Sequence, residues 1–432
     1  MSGQISETPV LTELSGLLAR PLEADDLRRA RLHLLDWIGC AVAGAKEPAG
    51  MVLRQSATSD ASGLAFVWGG LGNILEMDDV DKRALLHPGP SIIPAALALA
   101  EHSRSASKYV LAAIVRGYEA TIRLGRAVGP AHYAMWHSTG TCGAIGAAAA
   151  CANLLELDET RTGHALALAT SQSAGLWHTR HDAASMGKQL HTAAAARAGV
   201  DAARLAQLGF QGPLNILEGE QGFFQAMCPD GDPRHVLADQ ADWMIHDVSF
   251  KPWPACRHAH AAIDAALELR DRVALDQIDR ITVRTYADAL KFCDRPSPET
   301  VIEAKLSLQH SVATALSRGA PALEDFSIDS IQAPDLSALR AKVEVEIGAD
   351  YQDRYPARFG AEVSANGATV IMADALGDPE NPIADAPLVG KAENLMLAGG
   401  MSAESSRALV AMVMNDAMRI GDLMKHLREV LT

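Results

Sequence analysis

Fifteen residues from Glu76 to Pro90 hold four acids, two basic residues and one histidine. The segments on either side, residues 64–75 and 92–100, are apolar or small and predict helices. Charge set between two buried segments is costly unless it is solvated, paired or used. An acidic loop or a helix cap would satisfy that requirement; so would one wall of an active site, and Glu76, Asp78 and Asp79 are the carboxylates it would offer. His87 precedes Pro88, which extends its backbone. An imidazole titrating near neutrality suits general acid or base work, although a surface histidine at a turn has the same pattern.

Three more stretches carry candidate chemistry. His137, followed by Ser138, Thr139 and Gly140, opens a Gly/Ala-rich helix, and a helix N-terminus binds carboxylates. Ser138 or Thr139 is the expected N-cap. Lys188 and His191 are spaced i, i+3 and share a helix face, where a cation would hold a carboxylate or simply be solvated. Lys251 lies in Lys251-Pro252-Trp253-Pro254, whose prolines stiffen an extended backbone; it suits substrate positioning or a domain linker. His310 sits in a helix and could be purely structural. His258 and His260 are two apart and diverge on a helix, so they are not expected to hold zinc. No Gly-x-Gly-x-x-Gly, P-loop or Gly-x-Ser-x-Gly is present, which disfavours nucleotide and acyl-serine chemistry.

To position these groups the chain has 432 residues, enough for two domains. It is 48% hydrophobic but only 5% aromatic, so Ala, Leu, Val and Ile must build the core. Helices are predicted over residues 10–18, 27–42, 91–103, 107–128, 139–155, 159–176, 187–208, 303–318 and within 402–431. Strands are predicted over 278–286 and 341–347, with a hairpin over 361–372 turning at Asn366–Gly367. The net charge of −15 opposes binding to nucleic acid or anionic membrane. Six cysteines without a Cys-x-x-Cys pair indicate a reducing compartment rather than a disulfide or metal framework. No signal peptide or membrane span is expected, and the location expected is cytoplasmic.

Several of these pieces, in this order, resemble the MmgE/PrpD family, which includes 2-methylcitrate dehydratase, cis-aconitate decarboxylase and iminodisuccinate epimerase. They are residues 34–44 (LLDWIGCAVAG), Glu76-Met77-Asp78-Asp79 with His87-Pro88-Gly89, residues 93–98 (IPAALA), Gly117-Tyr118-Glu119 with Arg123-Leu124-Gly125, residues 137–140 (HSTG), residues 187–191 (GKQLH) and residues 251–256 (KPWPAC). The resemblance implies a mainly α protein: a large all-helical domain from both chain ends, residues 1–268 and 398–432, plus a smaller α+β lid, residues 269–397. It implies a homodimer with an interdomain cleft, and no metal or organic cofactor. The site would fall on Asp78, Asp79, His87, His137 and Lys188 as catalytic residues, with Glu76, Lys251 and His310 binding substrate. Glu76 stands where decarboxylase-like members carry Asp, Val80 where they carry Thr, and His310 where they carry Tyr. The expected activity is a lyase, dehydratase in type, on a small di- or tricarboxylate. An epimerase, isomerase or decarboxylase on a similar acid is the first alternative, and a catalytically silent carboxylate-binding protein the second.

Overall fold

The computed structural model describes residues 8–103, 106–182 and 185–432. It is mostly helical with one small four-stranded sheet, and it divides into two compact units: residues up to Val248 with Asp385–Thr432, and Ser249–Ala384. Among the described residues no helix is long and apolar enough to cross a membrane. None of the six cysteines is in a disulfide, and all but Cys256 are buried.

The larger unit is helical, and its only β pairings among the described residues are isolated bridges. At its centre the Ser138–Leu154 helix is buried on nearly every face. Such burial requires small side chains all round, and its Ala/Gly run supplies them. Ser107–Ala127, Gly187–Gln207, Gly89–Ser103 and Glu159–Thr170 pack around it. The approach to Ser107–Ala127 is nearly backbone to backbone. A Cβ on Gly146 would lie 2.7 Å from the Gly117 carbonyl oxygen, and one on Gly117 would lie 2.8 Å from the Gly146 oxygen.

The smaller unit carries the sheet, in the order β2-β1-β3-β4. β1 (Ile281–Thr285) runs parallel to β2 (Val343–Ile347) and antiparallel to β3 (Ala361–Ala365), which forms a hairpin with β4 (Ala368–Met372). Asn366 and Gly367, at φ 50° and 78°, make the tight turn that the Asn-Gly pair predicts. The His260–Leu269 helix packs across β3 and β4, and Leu308–Arg318 packs against that helix.

Four expectations are corrected. The boundary lies at Val248/Ser249 rather than after residue 268, because His260–Leu269 buries its apolar face on the sheet. The Asp385–Ala398 helix, expected within the lid, belongs to the helical unit, where it packs along Ala24–Gly44. The single helix predicted over 303–318 is two, Val301–Lys305 and Leu308–Arg318, since the Ser307 hydroxyl caps the second by accepting from the His310 amide at 2.9 Å. The N-cap of the central helix is His137 rather than Ser138 or Thr139.

Candidate active site

The acidic stretch is a folded loop between the Ala61–Leu71 and Gly89–Ser103 helices. The chain turns at Glu76, whose φ of 58° is left-handed and uncommon for a residue with a side chain. Asp81 and Leu86 then pair in an antiparallel bridge. Inside that turn the Asp81 carboxylate accepts the amides of Ala84 at 2.7 Å and Arg83 at 3.1 Å, and pairs with Arg126 at 2.5 Å. Asp81 therefore shapes the turn that delivers His87.

Asp79 is enclosed. Its Oδ1 accepts the Gly89 amide at 2.9 Å. Its Oδ2 lies 2.6 Å from the Tyr118 hydroxyl, which donates to it, and 2.7 Å from His33 Nδ1. Asp78 also lies buried, its Oδ2 2.6 Å from Asn73 Nδ2 and 3.0 Å from His87 Nδ1. His87 Nδ1 is at the same time 2.8 Å from the Asp79 carbonyl oxygen. A carbonyl oxygen only accepts, so Nδ1 carries the hydrogen, and the neutral ring keeps its lone pair on Nε2. The His87 amide donates to Thr139 Oγ1 at 3.0 Å, which ties the loop to the start of the central helix.

One residue before that helix, His137 is fully buried and packs at a tilt against Trp177, with centroids 4.4 Å apart. Its Nδ1 is 3.1 Å from His191 Nδ1, while its Nε2 has no hydrogen-bond partner among the described residues. Burial first, and then the charge of Lys188, hold its pKa well below the usual value, so the ring is neutral at pH 7. Lys188, at the start of Gly187–Gln207, pairs with the Glu76 carboxylate. One turn on, His191 meets His137, so the shared face expected of this pair points into a single cluster. A largely apolar cavity of about 570 Å³ opens beside His191, lined by Trp136, Leu176, Leu190 and Ala194 among others.

The helical unit thus brings together Glu76, Asp78, Asp79, His87, His137 and Lys188. Lys251 and His310 belong to the other unit. Lys251 is completely buried there, just past the boundary. His310 has both ring nitrogens engaged: Nε2 lies 2.8 Å from the Asp325 carbonyl oxygen, and Nδ1 lies 3.2 Å from Arg340 Nη1. In that unit Asp374, Asp378 and Glu380 form the one group of three among the described residues whose ligand atoms lie close enough to share an ion. Asp378 already pairs with Arg257 at 2.5 Å, and Asp374 with Arg358.

Three residues behind the site escaped the sequence reading. His33 and Tyr118 hold Asp79, and Lys391 of the Asp385–Ala398 helix reaches Asp36 Oδ1 at 2.5 Å and the Met77 carbonyl oxygen at 2.6 Å. Tyr118 lies inside Gly117-Tyr118-Glu119 and His33 lies one residue before the stretch 34–44, so the sequence carries a signal near both. Lys391 carries no such signal: it is one lysine in a stretch whose polar and apolar residues do not separate into clear faces.

These burials set a pH dependence. Burial pushes His33, and His258 in the other unit, down to about 4, and it lowers His132, His137, His191 and His310 as well. Between pH 6.5 and 4 the unfolded chain binds more protons at these sites, so their stabilisation is complete above 6.5 and lost as pH falls through 4. From 6.5 to about 4 is 2.5 units, or roughly 3 kcal/mol each for His33 and His258. Asp36, raised by burial to about 6, has the opposite sign and offsets roughly 3 kcal/mol over the same range. Asp264 is also raised, but six histidines outweigh two acids. The urea midpoint is expected to fall between pH 7.5 and 5; a midpoint that is constant or rises over that range contradicts this account.

Comparison with known proteins covers most of the chain. Residues 14–236 match the MmgE/PrpD N-terminal domain and residues 253–416 the MmgE/PrpD C-terminal domain. The chain is 29% identical to the cis-aconitate decarboxylase of Homo sapiens over 376 residues, covering 78% of this chain and 76% of that enzyme. It is 27% identical to the cis-aconitate decarboxylase of Aspergillus terreus, covering 76% of each. It is 25% identical to the mitochondrial 2-methylcitrate dehydratase of Yarrowia lipolytica, covering 49% of this chain and 42% of that enzyme.

Proposed function

The chain belongs to the MmgE/PrpD family, and from that premise we propose that it is a lyase that dehydrates a small di- or tricarboxylate. The observation that carries the reading is the fixed ring of His87. With Nδ1 held by Asp78 and the Asp79 carbonyl, Nε2 is the group presented as base. It takes the proton α to a carboxylate. The electron pair of that C–H bond forms the new C=C, and the C–O bond on the next carbon breaks. Hydroxide leaves as water by taking a proton from His137.

His137 is neutral without ligand, and a bound polycarboxylate brings the negative charge that favours its protonated form. Lys188 holds a substrate carboxylate and stabilises the enolate-like charge, the term expected to be largest in such a reaction. Lys251 is proposed as a second carboxylate holder. Asp79, with both oxygens taken by Gly89, Tyr118 and His33, positions the loop rather than moving protons.

Decarboxylation is the second reading, favoured by the longer match to relatives named as decarboxylases. The same groups would then hold the carboxylates and protonate carbon after CO₂ leaves. Glu76, Val80 and His310 depart from that pattern, which is why dehydration is placed first. The test is proton NMR in D₂O of chelator-treated protein with citrate-like, malate-like and itaconate-like acids. Formation of an alkene with loss of water supports the proposal, and CO₂ loss supports the second reading. Deuterium exchange without elimination indicates an epimerase. No reaction with any acid, with binding retained, indicates a silent binding protein.

A further inference from the structure

Lys391 lies on a helix more than three hundred residues from the acidic loop, yet its ammonium touches that loop's backbone. The Asp385–Ala398 helix can approach because residue 39 is glycine: a Cβ there would lie 3.0 Å from Ala392 Cα. The approach leaves the Lys391 side chain 6% exposed and its Asp36 partner 2% exposed. Burying an ammonium costs free energy unless it is paired and hydrogen-bonded, and here it has both Asp36 and the Met77 carbonyl. Met77 sits between the two side chains the site uses. Glu76, in the left-handed conformation, pairs with Lys188, and Asp78 meets His87. A carbonyl pinned at residue 77 fixes the Met77–Asp78 peptide plane, from which Asp78 projects and which lies one residue past Glu76.

We propose that Lys391 is a positioning residue for the proton-transfer pair: through the Met77 carbonyl it sets the backbone from which Asp78 orients the His87 ring and Glu76 reaches Lys188. The inference rests on the reading of His87 as the base. A lysine serving only core stability would lower the melting temperature when replaced and leave His87 unaltered. A positioning lysine changes the ring itself.

The test uses full-length protein labelled with ¹⁵N-histidine, in which the His87 tautomer and titration are followed directly, alongside turnover on any acid that reacts. Wild type is expected to show His87 with its hydrogen on Nδ1. Lys391→Met is expected to mix the two tautomers and displace the titration of His87. It is also expected to lower kcat about 10–100-fold with KM nearly unchanged, the penalty typical of a displacement near 1 Å. Lys391→Arg keeps the charge for Asp36 but crowds Met77, so it should fold and shift in the same direction. A folded variant with wild-type His87 signals overturns the proposal, and so does failure of both variants to fold, since Lys391 would then be a stability residue. If no acid reacts even with wild type, the proposed function fails while the NMR comparison still decides the role of Lys391.

Discussion

His87→Gln is expected to lower kcat by about 10²–10⁴-fold, the usual contribution of a positioned general base, while leaving the fold intact. Glutamine matches much of the ring's volume, and the turn closed by Asp81 and Leu86 is held by its own backbone bonds and by the Asp81 carboxylate, so it should persist without the Nδ1 donor. What glutamine lacks is the basic lone pair at the position of Nε2. The acid-side limb of the pH dependence of kcat/KM should disappear with it. Asp78→Asn should follow at smaller size, because an amide can present its NH₂ to Nδ1 and favour the wrong tautomer. Thermal melting with steady-state kinetics separates the effects. A glutamine variant that melts normally and turns over within fivefold of wild type would remove His87 from the chemistry.

Lys188→Met is expected to cost about 10²–10³-fold in kcat/KM, the scale set by losing one group aimed at developing negative charge. Without ligand the ammonium is occupied by Glu76, so a substrate carboxylate must compete with a resident one. Two consequences distinguish this arrangement from a plain surface ion pair, which would contribute little. Glu76→Gln should weaken the competition and cost far less than loss of the lysine. The double variant should be no worse than Lys188→Met alone, because both changes act on one interaction. Additive losses would show that Glu76 has a separate role.

Much of this site is legible in the sequence. The acidic loop stood out because charged residues interrupt small-residue helices, and the spacing of Lys188 and His191 placed both on the face where they meet Glu76 and His137. The Asn366–Gly367 hairpin was legible for a local reason, since two left-handed positions in a row admit few residue pairs. What stayed hidden depends on distant packing. Asp78 and Asp79 are adjacent and chemically identical in sequence. Only Tyr118, His33 and the Gly89 amide around one, and His87 against the other, tell them apart. The Asp385–Ala398 helix is not marked in the sequence because its polar and apolar residues do not separate into clear faces, and nothing there shows that Lys391 is enclosed. The helix boundary at Ser307 was missed because a serine hydroxyl there serves as a cap, a choice that hydrophobic periodicity does not register.

The position of the Asp385–Ala398 helix has a consequence for how the chain matures on the ribosome. The loop bearing Glu76, Asp78 and His87 is made first, and the lysine beneath it follows Met77 by 314 residues. Through most of synthesis Asp36 and the Met77 carbonyl must wait, and the groove along Ala24–Gly44 stays open to whatever else is nearby. A nascent chain stalled inside the sheet-bearing segment would therefore hold every helix that surrounds Ser138–Leu154 and still lack a finished floor under its histidine. Long-range closure of this kind is slow compared with local helix formation. Chaperone demand should thus persist through synthesis of the sheet-bearing segment and be relieved when Asp385–Thr432 rejoins the helical unit.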